Sequence, residues 1–447
     1  MDTASSTQAL FSFLAECPNS YFAVQQMARR LDDAGFTPLS EGDHWSLSPG
    51  DRCYVTRNGS SIIAFSLPRR NGARHAFPFA GFQILATHCD SPTFRIKPNA
   101  ELVIENRYVR LNIEKYGGML CSTWFDRPLS VAGRLLVRTA DSGIRPVLVR
   151  LDRDLLVIPS LCIHFDRGAN EGRAINVQRD MLPLFSAAPD VKLMDVVAAQ
   201  AGVSPEDVVD CDLFLYNRMP GTVFGARNEF IAAGRLDDMQ CAFASLQGFL
   251  SSEPGASCAV HCVFDNEEVG SLSKQGAAST FLRDVLRRIC LSMDLTEEDY
   301  LRLLARSYMV SADNAQALHP NFSDKSDPGH RPLLNGGIVL KYAANQKYAT
   351  DGLSGALFRM LCDRCGIPYQ LFANRSDIPG GSTLGNLSSA QVPVLTADVG
   401  LPQLAMHSSW ETAGAEDTQS LISAAQELFS TSLYCDENGA FSFQTNF

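Results

Sequence analysis

The stretch Cys258-Ala259-Val260-His261-Cys262-Val263-Phe264-Asp265-Asn266-Glu267-Glu268-Val269-Gly270 decides how this chain is read. It opens as an apolar run of strand length and ends in carboxylates. Side chains alternate along extended backbone, so adjacent glutamates at a strand's C-terminal end are expected to point in different directions. One can ligate a metal while the other faces a water as general base, the division of labour a metal-assisted hydrolase needs. For a lone Glu-Glu pair the competing reading is a solvated acidic loop.

The rest of the chain repeats the pattern. Residues 82–87 run into His88-Cys89-Asp90, and Gly234-Arg235-Leu236 precedes Asp237-Asp238. Residues 307–312 run into Asp313, and residues 392–399 lead to a loop carrying Met406-His407-Ser408. In open α/β sheets, sites gather outside the carboxyl ends of the strands. The candidate ligands are therefore His88, Asp237, Glu268, Asp313 and His407, with Asp90 and Glu267 beside them. Two imidazoles and three carboxylates suit a pair of divalent ions such as zinc. Each ion would take one His, one terminal carboxylate and a share of a bridging Asp.

Taken in order, Thr87-His88-Cys89-Asp90-Ser91-Pro92, Arg235-Leu236-Asp237-Asp238, Asp265-Asn266-Glu267-Glu268-Val269-Gly270-Ser271, Ser311-Ala312-Asp313-Asn314-Ala315, Gly380-Gly381-Ser382-Thr383-Leu384-Gly385-Asn386 and Met406-His407-Ser408 resemble the aspartyl aminopeptidases, within the clan of dinuclear-zinc aminopeptidases. The resemblance spans nearly the whole chain. Any one motif is weak, and the ordered set is specific. It implies that Asp237 bridges two zinc ions per subunit, with cobalt or manganese an alternative in one site. His88 and Asp313 would complete one site, and Glu268 and His407 the other. Glu267 would be the general base, and Asp90 would hold His88 by its free ring N–H. The implied reaction is removal of N-terminal Asp or Glu from peptides with a free N-terminus. The implied assembly is a homo-oligomer, a dodecamer built from dimers.

Three residues are candidates for substrate contact. Lys341 ends the apolar run Gly336-Gly337-Ile338-Val339-Leu340-Lys341, as a pocket-lining Lys does, and matches the family's acid-recognising Lys. A surface Lys at a strand end is the alternative. Ser382 and Thr383 follow two glycines and can present hydroxyls and backbone N–H groups, unless this is a plain Gly-rich turn. It is no phosphate loop, lacking the Gly-Lys-Ser/Thr ending. His164, in Pro159-Ser160-Leu161-Cys162-Ile163-His164, reads as structural by itself. The resemblance makes it the group that reaches a neighbouring subunit's active site and stabilises the tetrahedral intermediate. The chain departs from the family at Cys89, where many relatives carry Thr, at Ile378-Pro379-Gly380 and at Trp410. A thiol at Cys89 predicts sensitivity to oxidation or stray metals.

A chain of 447 residues can hold two domains and a large core. A formal net charge of −11 and the lack of a Lys/Arg-rich run argue against nucleic-acid binding. No apolar stretch reaches membrane-spanning length, and the start, Met1-Asp2-Thr3-Ala4, lacks a basic leader. Thirteen scattered cysteines, an odd number, suit free thiols in a cytoplasmic, reducing setting. Cys362 and Cys365 have redox or zinc spacing but fall in a helical run whose stripe is Leu353, Ala356, Leu357, Met360 and Leu361. With no second pair nearby they read as buried helix cysteines.

The expected fold class is α/β, a mostly parallel sheet covered by helices on both faces, with an inserted β-rich dimerisation or lid domain. Residues 1–93 and 230–447 would form a discontinuous metallopeptidase catalytic domain. Residues 94–229, where short apolar runs alternate with turns, would form the insert. Ser20 is expected to cap a helix with the stripe Val24, Met27, Ala28 and Leu31, and Asn58-Gly59 to turn a hairpin. Further helices are expected over 278–293, 296–306 and 419–433. His44, His75 and His330 read as surface residues, His261 as a satisfied core imidazole, and His319 as a shaper of the loop after Asp313. The rival functions are N-deacylation or a neutral-residue aminopeptidase on the same site, and a non-enzymatic assembly protein. An intact Glu267 argues against the last, since a scaffold has no use for a general base.

Overall fold

The computed structural model describes residues 3–69, 77–436 and 438–444. The deciding stretch forms a strand, Cys258–Phe264, inside a nine-stranded sheet. Phe82–His88 lies parallel beside it, followed by Tyr308–Ala312 and Leu395–Gly400, also parallel. On its other side runs the hairpin Arg52–Arg57 and Ser61–Ser66, turned at Asn58-Gly59 with both residues at positive φ. Ile338–Tyr342 continues the far side antiparallel to Leu395–Gly400. The sheet is thus parallel at its centre and mixed towards its edges.

Every residue of Cys258–Phe264 and Phe82–His88 is buried, as expected of strands covered on both faces. Alternate side chains serve two cores. Ala259, Val263 and Leu85 pack with helices Thr3–Glu16, Ser20–Asp33, Leu236–Ser251, Gly352–Cys365 and Asp417–Ser430. Val260, Cys262, Ile84 and Ala86 pack with Phe281–Leu291, Glu297–Leu304 and Leu384–Gln391. This is the layered α/β arrangement read from the sequence.

Local details differ from expectation. Asn19, not Ser20, caps the second helix, its side chain accepting the Phe22 N–H at 3.3 Å. The last helix stops at Ser430, where Thr431 turns extended and Ser432–Cys435 pairs with Phe441–Gln444. In Gly352–Cys365 the buried face is Leu357, Phe358, Leu361 and Cys362, while Leu353, Met360 and Cys365 are exposed. His261 is buried, with Nδ1 2.7 Å from the Ser245 hydroxyl but no partner at Nε2. It is therefore only half satisfied. His75 lies outside the described residues.

A separate antiparallel six-stranded sheet is built from strands between Thr93 and Asn217. It carries a core of its own, with Phe94, Leu111, Ile113, Val131, Leu213 and Leu215 among its members. Thr222–Phe224 then pairs with Phe230–Ala233, which joins Glu411–Gly414 in a third sheet. Through these strands the chain returns to the main body just before Asp237.

Candidate metal centre

Register explains why distant residues meet. Phe264 pairs with His88, and Ser311 with Ala86, so three parallel strands end side by side. His88 is the last residue of its strand, and Asp313 directly follows Tyr308–Ala312. Asp237 stands where Phe230–Ala233 gives way to helix Leu236–Ser251, in a non-helical turn after left-handed Arg235. His407 arrives on the loop after Pro402–Leu404.

The five candidate ligands form two groups that share Asp237. Its Oδ1 lies 3.6 Å from His88 Nε2, and Asp313 Oδ1 lies 3.7 Å from the same nitrogen. Its Oδ2 lies 3.5 Å from His407 Nε2, with Glu268 Oε2 at 3.4 Å from that nitrogen. Asp237 Oδ1, Asp238 Oδ1 and Glu268 Oε1 are buried without a hydrogen-bond donor. Buried anionic oxygens are costly unless a cation meets them. Burial, reinforced by neighbouring carboxylates, drives the Asp238 and Glu268 carboxyls well above their usual range. The nearby His407 and His88 imidazoles overcome the same burial at Asp237 and hold it low. A crowded, donor-poor set of carboxylates and imidazoles fits divalent zinc.

The two glutamates diverge, but not for the expected reason. The strand has ended at Phe264, and Glu267–Val269 is a 3₁₀ turn entered through left-handed Asn266. Successive residues on such a turn are rotated about 120° apart. Glu268 is turned toward His407, and Glu267 Oε2 stands 4.0 Å from His88 Nε2, 16% exposed. Burial, with Asp313, Asp90 and Asp237 adding to it and His88 opposing, pushes Glu267 up to about 8.

Asp90 does more than hold His88. Its Oδ1 is 3.3 Å from His88 Nδ1, which also lies 3.1 Å from the Asp90 carbonyl. Its two oxygens also accept the backbone N–H groups of Glu267 and Glu268, each at 3.1 Å. Four contributors were not legible beforehand. Asp238 accepts the His88 N–H at 3.2 Å. Glu411 is fully buried and accepts the backbone N–H groups of His407 at 2.8 Å and Asp237 at 3.1 Å. From the inserted sheet, Tyr116 donates to Asp90 Oδ2 at 2.7 Å, and the Gly118 carbonyl meets His407 Nδ1. The adjacency of Asp238 to Asp237 was the one signal available. A partly open cavity of about 270 Å³ adjoins this layer, with Asp90, Tyr116, Asp265 and Glu411 among its lining residues.

Lys341 is neither exposed nor at a loose strand end. It is buried, and its Nζ donates to the carbonyls of Asp313 at 2.6 Å and Asn314 at 2.9 Å, with Asp313 Oδ2 at 3.9 Å. The Thr383 hydroxyl is buried and donates to Asp398 at 2.8 Å, while Ser382 is exposed and meets Asn386 at 3.3 Å. The Thr383 side chain is therefore engaged inside the fold, while Ser382 stays at the surface. His164 is exposed on a loop with Leu161, Ile163 and Phe165, and among the described residues no recorded contact joins it to the ligands of its own chain. Cys89 is buried and donates to the carbonyls of Ser60 and Phe264, and burial raises its thiol well above normal. That burial works against the sensitivity to oxidation or stray metals expected of a thiol at this position.

A family model described as aminopeptidase I zinc metalloprotease (M18) matches residues 13–429. A probable M18 family aminopeptidase 2 of Clostridium acetobutylicum is 42% identical over 427 residues, 94% of this chain and 97% of its own length. A solved structure of the Ape4 and Nbr1 complex holds a chain that superposes with a TM-score of 0.91 at 35% identity, covering 96% of this chain and 86% of that one. The yeast mApe1 dodecamer superposes with a TM-score of 0.82 at 28% identity, covering 95% and 96%. A site of shared carboxylates and imidazoles at strand ends, on a sheet common to these proteins, leads to one assignment: the chain belongs to the M18 family of zinc metallo-aminopeptidases.

Proposed function

We propose that this aminopeptidase uses two zinc ions and Glu267 to remove N-terminal aspartate or glutamate from peptides. The observation that carries the reading is Asp237, whose two oxygens each face a separate His–carboxylate pair. His88, Asp313 and Asp237 would hold one ion, and His407, Glu268 and Asp237 the other. When bound there, zinc supplies Lewis acidity that polarises a carbonyl and acidifies water. Cobalt or manganese could take one position. Glu267 accepts the water's proton and later delivers it to the departing amine. Glu267 stands beside His88 while belonging to neither ligand group, the place a general base needs.

Support for the acidic preference comes from Lys341, the buried lysine among the described residues. An ammonium has three protons to donate, and two are held by the Asp313 and Asn314 carbonyls. The charge faces the Asp313 carboxylate at 3.9 Å, and with Asp313 engaged by a cation the third proton would be offered to a substrate carboxylate. Ser382 and the backbone around Thr383 would line the same substrate. The insert, residues 94–229, would be the assembly domain of a homo-oligomer, a dodecamer by analogy with yeast mApe1. His164, on its exposed apolar loop, would complete a neighbour's oxyanion site. Thirteen unpaired cysteines suit the cytoplasm; among the described residues no helix is long and apolar enough to cross a membrane.

The test is kcat/KM for aspartyl, glutamyl and leucyl peptides with the zinc-loaded protein, together with metal analysis. Acidic first residues should lead. Equal values for aspartyl and leucyl substrates would overturn the acidic preference and leave an aminopeptidase of neutral choice. One metal per chain at saturation would overturn the dinuclear reading.

A further inference from the structure

Tyr116, the last residue of an inserted-sheet strand, and the two glycines that follow it touch both halves of the metal centre. Tyr116 donates to Asp90 at 2.7 Å. Gly117 has φ +81°, and a Cβ built there would stand 3.1 Å from Glu268 Cβ, so only glycine lets the backbone approach so closely. Gly118 presents its carbonyl to His407 Nδ1. The Tyr116 hydroxyl is also an acceptor, for Asn266 Nδ2 at 2.8 Å, and Asn266 Oδ1 in turn accepts from Gln275 at 2.8 Å. The phenol ring is held edge-on by Phe214 of the same sheet.

The relay runs from Gln275 through Asn266 and Tyr116 to Asp90, which binds the backbone N–H groups of Glu267 and Glu268. Tyr116 therefore grips the 3₁₀ turn twice, through Asp90 and through Asn266, the residue before Glu267. We propose that Tyr116 is a positioning residue for Glu267, by which the inserted domain sets the aim of the general base in its own chain. This rests on the reading of Glu267 as the base. It is separate from any contribution of His164 across subunits, since every contact here lies within one chain. The role falls to orientation, because the hydroxyl does not reach the ligands and the turn it braces carries the base.

Tyr116→Phe keeps the ring and removes only the hydroxyl. In the full-length, zinc-loaded enzyme it should lower kcat on the order of tenfold, the scale of one hydrogen bond to a charged group. KM, metal content and assembly state should not change. Asn266→Gly, which tolerates the left-handed backbone, should cost kcat in the parent and little more on top of Tyr116→Phe, because both act through one phenol. An unchanged kcat in Tyr116→Phe, a loss that tracks lost metal, or full additivity of the two changes would each overturn the proposal. Glu267→Gln is the parallel arm. If it stays active, the base assignment fails and this inference with it. If it is inactive while Tyr116→Phe is unaffected, only the inference fails.

Discussion

The ligand layer and the wall beside it treat buried charge in opposite ways. In the ligand layer, one oxygen each of Asp237, Asp238 and Glu268 is buried with no donor. Behind Asp313, Lys341 gives two protons to carbonyls, and Asp398 accepts from the Thr383 hydroxyl and the Ala349 N–H. Unsatisfied anions mark a place where something positive must come. Satisfied charges mark scaffolding that fixes where it comes. His261 limits the rule: its Nε2 is also unpartnered, but a neutral imidazole nitrogen costs far less to bury than a carboxylate oxygen.

The largest expected effect tests the layer that is short of donors. Glu267→Gln should retain its metals and lose kcat by roughly 10²-fold or more, the reach of general-base catalysis. Glu268→Gln should instead lose metal. Metal analysis that finds the reverse would exchange the two roles and break the comparison at its centre.

Next is Lys341, where scaffolding and recognition meet. Lys341→Met should lower the ratio of acidic to neutral kcat/KM by roughly 2–5 kcal/mol, as for truncation of one member of a buried charge pair. Its bonds to the Asp313 and Asn314 carbonyls add an expectation, a weaker hold on metal at the His88–Asp313 side. A drop in activity on all substrates alike, with the ratio constant, would make Lys341 scaffolding only.

His261 offers a test by pH. Burial lowers it to about 3 from its ordinary value of 6.5. As pH falls below about 6.5, the unfolded chain takes up a proton that the folded one refuses, so stability is lost toward pH 3. At pH 4.5 this should amount to about 2–3 kcal/mol, at 1.36 kcal/mol per unit. His261→Gln should flatten that slope in denaturant titrations between pH 7 and 4.5, and an unchanged slope would show that other groups dominate.

The smallest effects separate the two neighbours of the glycine loop. Thr383→Val removes a donor from buried Asp398 and should cost about 1–3 kcal/mol of stability. Ser382→Ala, at an exposed site, should change stability by less than about 0.5 kcal/mol and act on KM if at all. A large KM effect from Thr383→Val at unchanged Tm would return its hydroxyl to the substrate.

Much of the centre was legible because strand and ligand are adjacent in sequence. His88 and Asp313 directly end apolar runs, and parallel register carries them together. The divergence of Glu267 and Glu268 was foreseen, but from a pleat where a 3₁₀ turn is found. Glu411 and Tyr116 were not foreseen, because they act on backbone N–H groups or on another carboxylate, and neither function leaves a spacing rule. Lys341 was visible as a candidate, while its two carbonyl partners depend on a strand two places across the sheet.

By itself the sequence determined the kinds of candidate ligand, their order along the chain and the alternation that buries the central strands on both faces. These follow from covalent neighbours and from the two-residue repeat of extended backbone. Tertiary structure alone decided which oxygen of Asp237 faces which histidine, that the insert grips Asp90 and His407, and that Lys341 and Thr383 are tied inward. Such choices arise where segments far apart in the chain compete for the same buried donors and acceptors, and only packing in three dimensions settles that competition.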